Sequence, residues 1–149
     1  MSYEQPRTEV YIQPSTAFGA TTETQTYIGP KGRTGYVRDI DIDITADMVG
    51  TTTVPEIDVG SASGLVEYAR FRLGTTAIAG YTVAQGASRR ASQVALNNFG
   101  SSLYEDYTGH VKMATARIPA DTAFVITRKA GTGGAPAGTG RSRVIIDWL

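Results

Sequence analysis

Apolar and polar residues alternate most regularly over residues 35–45, where Ile40, Ile42 and Ile44 are interleaved with Asp39, Asp41 and Asp43. Successive side chains of a strand point to opposite faces, so this spacing predicts a strand with one face on a core and three carboxylates on the other. The end of the chain repeats the pattern. Over residues 143–149, Val144, Ile146 and Trp148 share one face, while Arg143, Ile145, Asp147 and Leu149 share the other. Before it come a turn over 119–122, a β-branched and aromatic run over 123–127 and a glycine-rich loop over 130–140, which read as a closing pair of strands.

The remaining elements are shorter. Residues 21–28 are threonine-rich and suit a strand, and Gly29, Pro30, Lys31 and Gly32 supply a turn after it. A loop around Gly50 is expected over 46–53. A strand follows over 54–59, with Ile57 and Val59 on one face, Glu56 and Asp58 on the other, and Pro55 marking a strand start or a sheet edge. Residues 65–73 fit a helix or a strand, with the strand preferred because Val66 to Phe71 alternates between flanking glycines. Residues 75–83 give a further strand, broken at Gly80. The helical window is 87–98, capped by Ser88 and followed by Gly100, although Arg89 and Arg90 oppose the helix dipole there. Residues 101–108 read as a loop and 111–118 as a strand ending at Pro119. Seven or eight short strands with at most one short helix predict an all-β, antiparallel β-sandwich. Jelly-roll and immunoglobulin-like arrangements are the main options, and the paired cysteines of the latter are absent.

With 149 residues the chain suits a single domain, placed at 19–149 behind an extended N-terminal arm at 1–18. The arm holds Pro6 and Pro14 among polar residues, with Tyr3, Val10, Tyr11 and Ile12 as scattered apolar positions. One reading makes it a frayed tail or an irregular first strand. The other makes it an arm that orders on a neighbouring subunit, with those four residues as anchors, so that removing it leaves the melting temperature unchanged but weakens association.

Charge changes this picture little. Fourteen basic and fourteen acidic side chains leave no net field to draw nucleic acid or an anionic membrane. Arg89 with Arg90, and Arg141 with Arg143, are too short as basic runs to make a nucleic-acid surface. No stretch approaches the ~18 apolar residues of a membrane span, and the N-terminus has no signal-peptide core, so a soluble protein is expected. The absence of cysteine removes disulfides and thiolate metal sites.

Candidate chemistry is sparse. His110 is the single histidine, and no Gly-x-Ser-x-Gly elbow sets up a nucleophile. Asp39, Asp41 and Asp43 have the spacing that opens a calcium loop, yet Ile44 stands where that loop needs glycine and Gly50 where it needs glutamate. A solvated face, or a row that meets Arg or Lys of a neighbour, is the better account. Gly133 and Gly138 have phosphate-loop spacing, but Thr139 and Gly140 follow in place of Lys and Ser, and a strand rather than a helix comes next. No enzyme activity, metal, cofactor or small-molecule substrate is expected. Tyr104 and Tyr107 join Tyr3, Val10, Tyr11 and Ile12 as candidate partner-binding residues.

The run Ile118-Pro-Ala-Asp-Thr-Ala-Phe-Val-Ile-Thr, then Ala130-Gly-Thr-Gly-Gly-Ala-Pro-Ala-Gly-Thr-Gly, then Val144-Ile-Ile-Asp-Trp, resembles the closing hairpin of small jelly-roll decoration (cement) proteins of tailed bacteriophage heads. The layout before it is similar: a polar N-terminal arm, a long alternating strand, then short Thr- and Gly-rich strands. The resemblance implies a non-enzymatic virion protein, made in the host cytoplasm. It would bind the major capsid protein on the outside of the phage head as a homo-oligomer, commonly a trimer. The competing expectation is a tail-associated or lectin-like module that uses Tyr104, Tyr107 or Trp148 to bind a surface glycan.

Overall fold

The computed structural model describes residues 6–17, 19–49, 52–53, 55–72, 76–77, 82–86 and 117–149. They form ten strands, β1 (Arg7–Thr16), β2 (Glu23–Ile28), β3 (Gly35–Val49), β4 (Glu56–Gly60), β5 (Ala69–Arg72), β6 (Thr76–Ala77), β7 (Thr82–Gly86), β8 (Arg117–Ile118), β9 (Ala123–Lys129) and β10 (Ala137–Trp148), and no helix among the described residues. One sheet has the order β1-β10-β3-β6, with β7 and β8 also paired to β3, and the other has the order β2-β9-β4-β5. The pairing is nested: β1 with β10, β2 with β9, β3 with β6, β7 and β8, and β4 with β5. A chain that folds as one long hairpin and then rolls up into two sheets has jelly-roll connectivity. The expected all-β sandwich is therefore what the chain forms.

The inner faces supply the core. Ile40, Ile42 and Ile44 of β3 and Val144, Ile146 and Trp148 of β10 are buried against Ile57 and Val59 of β4, Phe71 of β5 and Phe124 and Ile126 of β9. Val37 is buried too, three residues before Ile40, which strict alternation does not allow. The register explains it: Ile145 faces Asp39 but Ile146 faces Val37, so Arg38 is the extra residue of a bulge that resets the face. Trp148 fills the end of the sandwich, 5.9 Å from Phe124 between ring centroids. Its indole lies so close to Gly29 and Gly35 that a Cβ on them would fall 2.1 and 2.5 Å from the ring.

Several boundaries differ from expectation. β3 continues through 46–49, where a loop was expected, because its far end pairs with Ala137 and Thr139 of β10 and with β6. Conversely, only Ala69–Arg72 of the expected 65–73 strand is extended. Residues 61–68 turn instead, with Gly64 at positive φ and the Leu65 N–H donating to Ala62 O. The glycine loop is shorter than 130–140, since β10 begins at Ala137. The 75–83 strand falls into β6 and β7. The expected helix at 87–98, the loop at 101–108, His110 and most of the 111–118 strand lie outside the described residues.

The boundary drawn at residue 18 does not separate an arm from the domain. Arg7–Thr16 pairs with β10 from Arg7 opposite Trp148 to Thr16 opposite Gly140, with an irregularity around Pro14. The physical reason is burial. Tyr11 packs edge-on against Phe124 and Tyr27, at 5.1 and 4.9 Å between centroids, so β1 contributes to the core rather than awaiting an external surface.

Candidate functional site

Period-two alternation splits the candidate residues of β1 between two environments. Tyr11 turns inward, and its hydroxyl donates to the Glu9 carboxylate; burial, helped by that carboxylate, pushes its pKa up. Val10 and Ile12 turn outward and are 49% and 55% exposed. Across the sheet Val10 stands opposite Ile145, itself half-buried, and Ile12 opposite Arg143. Among the described residues β1 is paired on one side only, with β10, so a row of backbone donors and acceptors borders this apolar pair.

A charged ladder flanks the apolar residues on the same outer face. Arg143 bonds to Asp41 and, at 3.2 Å, to Asp43, while Arg141 reaches Asp43 at 3.2 Å. Arg38 lies 3.5 Å from Asp39, and the Thr8 hydroxyl donates to Asp147 at 2.7 Å. The row of carboxylates thus meets arginines of β10 and the bulge within its own chain. The Asp41 hydrogen bond raises the Arg143 pKa, and the arginines neutralise the carboxylates where a cation would have to sit. No cluster of three or more metal-binding side chains occurs among the described residues.

Two buried ionic groups were not anticipated from the sequence. Arg128 of β9 is 1% exposed and holds four elements together. It donates to Pro14 O at 2.9 Å, Thr16 Oγ1 at 2.9 Å and Gly140 O at 3.2 Å, and it pairs with Glu23. Burial lowers its pKa against the opposing pull of Glu23. The second group is on the outer face of the same β2-β9-β4-β5 sheet, where Asp58 is 0% exposed and Glu56 is buried. Asp58 Oδ1 accepts from Arg70 Nε at 3.1 Å, while Oδ2 has no hydrogen-bond partner among the described residues and lies 3.7 Å from Lys129 Nζ. Lys129 Nζ donates to Glu56 at 3.0 Å. Burial first, and the charge of Glu56 second, push the Asp58 carboxyl up to about 6.

Both faces of β4 are therefore buried, in contrast to the one-sided strand expected at 54–59. Alternation correctly put Glu56 and Asp58 on one face; that this face is covered is a tertiary fact. Part of the cover is visible, because the turn at 61–68 folds back, with Gly64 N–H donating to Thr127 and Ser63 meeting Thr24. Trp148, a candidate for stacking on a sugar, is buried and unavailable for it. Tyr3, Tyr104 and Tyr107 lie outside the described residues. Of the six candidate partner residues, the structure brings Val10 and Ile12 together on one exposed face and sends Tyr11 to the other.

Comparison with known families finds no family model that matches the chain. Comparison with curated proteins likewise finds no match.

Proposed function

We propose that this chain is a non-enzymatic virion structural protein that binds the outer surface of a tailed-phage capsid and stabilises the shell through subunit contacts. The observation that carries the reading is the outer face of β1, where exposed Val10 and Ile12 stand beside Ile145 on a strand that, among the described residues, is paired on one side only. An apolar centre with a polar rim and a free backbone edge is what a protein partner or a sister subunit can cover by adding a strand. The jelly-roll connectivity and the resemblance of the closing hairpin to cement proteins support the same assignment. Binding to the major capsid protein as a homo-oligomer, with a trimer favoured, follows from that resemblance.

The test combines light scattering of the purified chain with co-sedimentation on phage heads lacking their decoration protein. The expected result is an oligomer that pellets with heads, while Val10→Lys with Ile12→Lys folds but stays in the supernatant. Binding to a glycan array without co-sedimentation would overturn the assignment in favour of a tail-associated or lectin-like module.

A further inference from the structure

On the outer face of the β2-β9-β4-β5 sheet, three groups stand in the order a condensation reaction needs. Lys129 is directly opposite Glu56 across the β4–β9 pair, with its amine 3.0 Å from that carboxylate. Asp58, two residues along the same face of β4, presents Oδ2 at 3.7 Å from the same amine, and this oxygen is buried without a hydrogen bond among the described residues. Its other oxygen, Oδ1, is held by Arg70 Nε at 3.1 Å. Glu56 also lies 3.7 Å from Arg70 Nη2. Thr127, opposite Asp58 on β9, receives the Gly64 N–H, so among the described residues the groups around Asp58 include Glu56, Arg70, Lys129 and Thr127.

We propose that Lys129 and Asp58 join in an intramolecular amide, with Glu56 as the proton acceptor. Glu56 takes a proton from the Lys129 ammonium, and the freed amine attacks Asp58 Cγ while that carboxyl is protonated. Negative charge gathers on Oδ1, where Arg70 already donates. A second proton passes from the nitrogen through Glu56 to Oδ2, which leaves as water. One C–N bond forms, one C–O bond breaks, the first proton stays on Glu56 until solvent takes it, and nothing is oxidised or reduced. Burial favours the reactive neutral acid, because it raises the Asp58 pKa. The product also removes the buried Asp58 Oδ2, which has no hydrogen-bond partner among the described residues. The bond would tie β4 to β9, and it does not depend on the capsid assignment.

Intact-mass spectrometry of the full-length chain, folded and incubated near pH 6, reads the reaction directly. The expected mass is one water below that of the sequence. Proteolysis should then release a single branched peptide joining Lys129 to Asp58, with no cleavage after Lys129. Lys129→Arg keeps a cation at the site but cannot form the amide, and Glu56→Gln removes the proton acceptor, so both chains should retain full sequence mass. A folded wild-type chain of full mass overturns the proposal, whatever the variants do. So does a lost water that fragmentation places anywhere else.

Discussion

At the residue scale, opposite faces of β3 make different demands. Ile42 is fully buried, so Ile42→Ala is expected to destabilise the protein by about 2 to 5 kcal/mol through lost transfer energy and a residual cavity. Asp41, on the partly exposed face, pairs with Arg143, and Asp41→Ala should cost no more than about 1 kcal/mol. Denaturant midpoints of the two variants give the comparison, and equal losses would mean that the faces are misassigned. Gly35→Ala makes a second test. Its Cβ would sit 2.5 Å from the Trp148 ring, so indole or backbone must shift, with an expected loss of about 1 to 3 kcal/mol. The isoleucine face is legible from spacing alone. The glycine requirement is not, because nothing near residues 29 or 35 in sequence announces a tryptophan more than a hundred positions away.

At the element scale, the instructive strand is β1. Its composition, with Pro6 and Pro14 among polar residues, reads as chain unable to order itself. That is a correct statement about an isolated segment, and the fold answers it through non-local contacts: pairing with β10, the Tyr11 ring on Phe124, and the Arg128 guanidinium reaching Pro14 and Thr16. Deleting residues 1–16 should therefore lower the melting temperature markedly, in place of the unchanged value expected of a dispensable arm. An equally stable truncated chain would return the segment to that role. Arg128→Met tests the latch more locally. Removing the buried guanidinium leaves the carbonyls of Pro14 and Gly140 without its donors, while Glu23, 30% exposed, keeps the Thr16 hydroxyl, with an expected cost of about 1 to 3 kcal/mol.

At the scale of the whole molecule, pH links the buried charges to stability. Burial, and then the charge of Glu56, push the Asp58 carboxyl from its ordinary 3.8 up to about 6. A cation retained at residue 129 leaves both causes in place, so a chain that cannot form the amide, such as Lys129→Arg, should keep a raised Asp58 pKa when folded. The folded state then holds the proton more tightly, so the stabilisation is complete below the unfolded value and is lost as pH rises through the folded one. Unfolding free energy should fall by about 2 to 3 kcal/mol between roughly pH 4 and pH 6, and Asp58→Asn in the same background should flatten the slope. Denaturant unfolding across that window checks both. By itself the sequence determined the strand-rich class, the inward sets of β3 and β10, and the turn around Pro119. The strand features follow from a period of two and the turn from proline, both local properties of the chain. Only the tertiary structure decided which strands pair, how far β3 extends, that the aspartate row meets arginines of its own chain, and that Glu56 and Asp58 are covered. Those outcomes depend on register and on layers closing over one another, and no local spacing carries that information.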